Sequence, residues 1–142
     1  MDNIEAVKKL EAAYNARDYD TVRSLVAADF VSHTAGSEMM PPGVEGAIAA
    51  DEGSWTSYPD KKSEILDIFG ERDRVVAHVR MTGTNKGGLS WMGVPANDAP
   101  IDTDWIQISR HDDDGRIVET WAQMDVVKMM SQLGVIPGPG GM

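Results

Sequence analysis

The chain has 142 residues, 23 acidic against 13 basic side chains for a formal net charge of -10, and no cysteine. That length suits one domain able to bury most of its apolar surface without covalent staples, and the lack of cysteine excludes disulfides, thiolate catalysis and cysteine-based zinc sites. The acidity excludes a nucleic-acid or anionic-membrane partner, because phosphate affinity comes from clustered Lys and Arg and no such cluster is visible.

No basic segment followed by an apolar run occurs in residues 1–30, and no stretch approaches the roughly 20 apolar residues that cross a bilayer, so a soluble, cytoplasmic protein is expected. In residues 2–16, Ile4, Val7, Leu10 and Tyr14 recur at spacings of three and four, with Lys8, Lys9 and Glu11 off that stripe, which predicts an amphipathic helix. Asp18 and Asp20 then punctuate, and Asp20 is placed to cap a second helix through Val22, Leu25 and Val26. Phe30-Val31 starts an extended segment. Gly36, Gly43, Gly46 and Pro41-Pro42 make residues 36–46 a loop able to cover a pocket, followed by a helix from Val44 to about Trp55. From Glu64 onward the pattern turns to strands, over residues 65–69, 74–84, 101–110 and 116–124, expected to form one curved sheet. Between the second and third, residues 85–100 hold several Gly and Pro positions plus Trp91 and Met92 and read as a hairpin-like excursion at one rim. The final VIPGPGGM cannot enter a helix or sheet interior, so a single domain over residues 1–134 with an extended or disordered tail at 135–142 is expected.

Chemistry is concentrated in DGRIVETWAQMDVVKMMSQLG, residues 114–134. Alternation from the turn at Asp112–Gly115 places Ile117, Glu119, Trp121, Gln123 and Asp125 on one strand face. Asp125 then has two readings. It can cap a short helix carrying Val126, Val127, Met129, Met130 and Leu133 and ended by Gly134. Alternatively it is a carboxylate desolvated by Trp and Met surfaces, whose raised pKa would suit it to accept a proton from a carbon acid. On the preceding strand Thr103, Trp105, Gln107 and Ser109 share one face, and Asp104, Ile106 and Ile108 the other. Trp55, Tyr58, Trp91 and Trp105 offer flat surfaces that could sandwich a planar polycyclic ligand, although core packing accounts for any one of them. The nine methionines fit an irregular hydrophobic pocket or ordinary core equally well. The three histidines are too scattered for a helical metal pair, and no metal or cofactor is expected. His78 reads as structural or interfacial, and His111 as a solvated turn residue.

This stretch, with SYPD at residues 57–60 and GTN at 83–85, resembles the SnoaL-like polyketide cyclase family over nearly the whole chain. The resemblance implies an α+β fold, a cone-shaped curved antiparallel sheet wrapped around N-terminal helices, shared with nuclear transport factor 2 and ketosteroid isomerase. It implies that Asp125 is the general acid/base and that His33 lies near the pocket mouth. It also puts Gln107 where cyclases of the anthracycline type have a histidine, so this side chain could steady a carbonyl but not shuttle a proton. Asn85 likewise replaces the histidine of GTH and reads as a turn residue.

The implied function is a cofactor-free, intramolecular aldol-type ring closure of a polyketide-like substrate. In it Gln107 and His33 would orient carbonyls, while Trp105, Trp121, Trp91 and Tyr58 would hold the ring system. Asn15-Ala16-Arg17-Asp18 matches the helix-turn of ketosteroid isomerase, but Leu10 stands where that enzyme has its oxyanion tyrosine. Two alternatives remain open: a non-catalytic binder of small hydrophobic ligands, and epoxide-hydrolase-like water activation by Arg80 with Asp104 and Asp125. A homodimer or homotetramer, paired through the outer face of the sheet, is the expected assembly.

Overall fold

Asp2 accepts a hydrogen bond from Glu5 N–H at 2.8 Å and starts helix α1 (Asn3–Asn15), whose stripe buries Ala6, Val7, Leu10 and Ala13. The computed structural model describes residues 2–137. Helix α2 (Tyr19–Leu25) is capped by Asp18, which accepts from both Thr21 N–H and Thr21 Oγ1. Asp20, expected in that role, sits in the first turn beside Arg23, where its charge still complements the helix N-terminus. Helix α3 spans Val44–Ser57, and its preceding residue Gly43 has φ +76°; any side chain there would collide with the Ala28 carbonyl.

The strands are β1 (Val26–Ser32), β2 (Lys62–Glu71), β3 (Arg74–Thr84), β4 (Pro100–His111) and β5 (Ile117–Met124), in the spatial order β1-β5-β4-β3-β2. The sheet is antiparallel except for the parallel β1–β5 pair. The expected set of four strands thus gains a fifth. VAADFVS has no clean two-residue alternation of buried and exposed positions, and it becomes a strand by pairing with the otherwise free edge of β5.

Residues paired directly across antiparallel strands share a face. The rows Val75–Ser109–Thr120, Ala77–Gln107–Ala122 and Val79–Trp105–Met124 therefore form the inner face, and Val76–Ile108–Trp121 and His78–Ile106–Gln123 the outer one. Uniform alternation in β5 fails at its start. Arg110 pairs with Glu119 but His111 with Ile117, so Val118 is an extra residue, a bulge that turns Ile117 inward while Glu119 and Trp121 point outward.

Helices α1, α2 and α3 pack Val7, Leu10, Val22 and Ile48 onto Val75, Ala77, Val79 and Ile117. A second cluster joins Tyr58, Leu89, Val94 and Ile101 to Met129 of helix α4 (Val126–Gln132) and to Leu133, its C-cap. Two side-chain amides tie helices to strand ends. Asn15 bonds both backbone groups of Ser63, and Gln132 bonds Asp102 N–H and C=O at 2.9 and 3.0 Å, just beyond the point where β5 stops. Asn85 organises the 85–100 excursion from a fully buried position, donating to Pro95 O and Asn97 Oδ1 and accepting from Gly88 N–H. Two donors and an acceptor on one group are what an amide supplies and an imidazole does not. Gly134, at φ +79°, ends α4. Of the expected tail, residues 138–142 lie outside the described residues. Among those described, no helix is long and apolar enough to cross a membrane.

Candidate functional site

The inner face of β4 presents Thr103, Trp105 and Gln107 in sequence, with Trp105 paired to Met124 and Gln107 to Ala122 of β5. Trp105 packs against the edge of the main core, and both it and Gln107 remain partly exposed. Immediately after Met124 the chain leaves the sheet at Asp125. Its Oδ1 accepts Lys128 N–H at 2.9 Å as the N-cap of α4, and Oδ2 takes no protein partner among the described residues. The capping reading of Asp125 is therefore present in the structure. The side chain is solvent-exposed, not desolvated as expected: Trp121 points to the outer face and Met124 is itself exposed. Tyr58 is 4% exposed and lies in the second core cluster, on the same side of the sheet as Trp105.

His33 and Trp121 are brought together, but on the outer face, with the sheet between them and Trp105 or Gln107. Their rings stack at 5.1 Å and 11°, and the Arg74 guanidinium covers Trp121 at 5.0 Å. Glu119 bridges His33 Nε2 at 2.6 Å and Arg110 Nε at 2.9 Å. The hydrogen bond from His33, and then that from Arg110, holds the Glu119 carboxyl below the usual range. Trp121 and Trp105 thus cannot grip one ring system. Trp91 lies in the Ser90–Met92 turn of the excursion and is 70% exposed. The epoxide-hydrolase arrangement is not assembled either. Arg80 grips Asp102 through two bonds of 2.9 and 2.6 Å, and Asp104 is held by His78 at 2.6 Å, all on the outer face.

A polar cluster on the helical side escaped the sequence reading. Asp51 of α3 accepts Tyr19 Oη at 2.8 Å, Trp55 Nε1 at 3.0 Å and Lys61 Nζ at 2.7 Å, and Lys61 also donates to Ser54 Oγ. The Lys61 and Asp51 side chains are only 6% and 12% exposed, and the ammonium lies 4.6 Å from the Trp55 ring centre. Burial pushes the nearby Glu11 carboxyl and Tyr14 phenol upward. The signal was available: Asp51, Ser54 and Trp55 stand at i, i+3 and i+4, the spacing of one helix face. With both carboxylate oxygens of Asp51 engaged, the cluster reads as a fastening of α2 and α3 to the start of β2.

His111 is 2% exposed, contrary to its expected place in a solvated turn. Nδ1–H donates to Gly115 O at 3.1 Å, which leaves Nε2 to accept from Ser109 Oγ at 2.9 Å. Among the described residues, no three His, Asp or Glu side chains gather around a common metal position.

A sequence profile described as SnoaL-like polyketide cyclase matches residues 4–133. The chain belongs to that family. SnoaL-like relatives of known structure include IdmH of Streptomyces antibioticus, described as a candidate polyketide cyclase: it is 32% identical, with 95% of this chain and 100% of that one covered at a TM-score of 0.79. A candidate polyketide cyclase of Bacillus cereus is 28% identical over 94% of this chain and 81% of its own, at a TM-score of 0.77. AclR of Streptomyces galilaeus, described as a candidate hydroxylase, is 23% identical over 96% of this chain and 83% of its own, at a TM-score of 0.78, and shares the fold alone. Comparison with curated proteins gave no match. The SnoaL-like fold is thus common to chains described by different reactions, so chemistry must be argued from side chains.

Proposed function

We propose that this SnoaL-like protein acts in the cytoplasm as a cofactor-free cyclase that closes a ring in a polyketide-like substrate, with Asp125 as general acid and base. The observation that carries the reading is the Trp105–Gln107 strip on the inner face of β4, which ends beside Met124 at the point where Asp125 leaves the sheet with one carboxylate oxygen unengaged. In the proposed step, Asp125 takes a proton from a carbon flanked by two carbonyls. The enolate carbon attacks an internal carbonyl, one C–C bond forms, and the new alkoxide recovers the proton from Asp125. Delocalisation of the enolate over the conjugated chain brings the carbon acid within reach of a carboxylate. Gln107 can donate its amide N–H to a substrate oxygen but holds no proton to transfer, so acid and base duties both fall on Asp125. Its exposure means that the substrate itself must cover the carboxylate before its basicity can rise.

The exposure of Asp125, together with the neutral amide at Gln107, favours a second reading, a binder of small hydrophobic ligands without turnover. Both are tested by incubating wild type and Asp125→Asn with polycyclic polyketide esters that carry a free aldehyde or ketone, following ring closure by chromatography and mass. Catalysis predicts a fall of about 10²–10⁴ in turnover with unchanged thermal stability, because Asn caps a helix as well as Asp does. Equal ligand binding by both proteins without product supports the binder. We further propose that two copies pair through the outer face, where Phe69, Ile106 and Ile108 stay 57%, 52% and 38% exposed.

A further inference from the structure

Among the described residues, two buried side-chain polar atoms have no hydrogen-bond partner in the protein, Tyr58 Oη and Thr103 Oγ1. Tyr58 is 4% exposed and Thr103 1%. Folded proteins rarely leave buried hydroxyls unpaired, and two in one region call for a physical account. They do share a region. Thr103 faces inward opposite Met81, while the stem of the Tyr58 side chain lies over Gly83, where an added Cβ would meet Tyr58 Cβ at 3.0 Å and Cγ at 3.4 Å, and Gly83 pairs with Ile101, two residues from Thr103 on the same face. The next inward residue along β4 is Trp105.

The surroundings restrict what could satisfy these hydroxyls. Tyr58 shares one buried cluster with Leu89, Val94, Ile101, Met129 and Leu133, and the ammonium of neighbouring Lys61 is committed to Asp51 and Ser54. An ionised carboxylate or phosphate would therefore enter without a counter-charge. A ketone or enol on a hydrophobic ring frame meets two hydroxyls that can each donate and accept. Burial pushes the Tyr58 phenol upward, so it stays a neutral donor. Met81 is only partly buried against this cluster, and its flexible thioether can move aside.

We propose that Tyr58 and Thr103 form a subsite for one carbonyl or enol oxygen of the ligand, beyond Trp105 on the inner face, which selects the end of the substrate that enters first. This deepens the cyclase reading and rests on its ligand entering the inner face. The test uses Tyr58→Phe and Thr103→Val, which remove a hydroxyl and nearly keep the shape, titrated with 1-hydroxyanthraquinone and with anthracene, the same frame without oxygen. Wild type is expected to prefer the hydroxyanthraquinone by about tenfold; each variant should lose most of that preference, keep its anthracene affinity, and melt at or above the wild-type temperature. An unchanged preference in both variants overturns the subsite alone. Lower melting of both unliganded variants also overturns it, since the hydroxyls would then be bonded within the protein. Failure of wild type to bind either probe removes the polycyclic-ligand reading and the subsite together.

Discussion

Along β4, Thr103, Trp105, Gln107 and Ser109 look toward the helices, while Asp102, Asp104, Ile106, Ile108 and Arg110 look away from them. The inner set is neutral and sparse in polar atoms: Ser109 Oγ is paired with His111 Nε2, while Thr103 Oγ1 has no protein partner. The outer set is charged and paired with neighbours, Asp102 with Arg80, Asp104 with His78, and Arg110 with Glu119. Solvated pairs of that kind contribute little to stability and do not bind a neutral substrate. What separates the two sides is therefore less the number of polar groups than whether they are already engaged. By that measure His33 and Trp121, stacked and paired on the outer face, belong to the surface, and Trp105 and Gln107 to the candidate pocket.

The sharpest challenge to this division is Lys61→Met. It leaves the Asp51 carboxylate buried without its cation and should destabilise the protein by about 3–5 kcal/mol in chemical denaturation; a change no larger than that of a surface ion pair would show that the helical side is as wet as the outer face. Next in size, Trp105→Leu should weaken binding of a polycyclic aromatic probe by about tenfold, with Trp121→Leu leaving it unaltered. Reversal of that order in a fluorescence titration would exchange the roles of the two faces. Ile106→Glu places a charge among the exposed apolar residues of the outer face and should convert a dimer to monomer in light scattering while ring closure or ligand binding on the inner side persists. An unchanged mass at every concentration would argue against pairing there.

The smallest effect concerns pH. Burial holds the His111 imidazole below its ordinary 6.5, so on acidification the unfolded chain takes up this proton first. The stability tied to neutral His111 is complete above about pH 6.5 and declines as pH falls from there toward the folded-state value. Denaturation midpoints measured through that window should slope less in His111→Asn than in wild type. Parallel curves would place the imidazole back in solvent.

How much could be read in advance differed by element. Residues 74–84 form β3 with the expected ends, and the α1 stripe buries Val7 and Leu10 as its spacing required. The division of β4 into two faces was legible because its alternation is unbroken, and packing against the helices decided which face looks inward. In β5 the same rule failed over one bulge at Val118, which sends Trp121 to the opposite side from Ile117. Asp18 displaced Asp20 as a cap by a two-residue difference in where α2 begins, and the burial of His111 depended on the turn folding back onto Ser109. The pairing of Asp51 with Lys61 crosses from α3 to the start of β2, where short-range periodicity carries no information.

The sequence by itself determined the helices, four of the five strands and the two alternating faces of β4 through local periodicity, and the α+β class and SnoaL-like family through the resemblance carried by short motifs. Tertiary structure alone decided that β1 joins the sheet in parallel, that His33 and Trp121 lie behind it, and that Asp125 caps α4 in solvent. It also left Tyr58 and Thr103 without partners. Those outcomes depend on strand register and on which groups meet across the fold, and a single shifted residue reverses them without changing the composition or the pattern on either side.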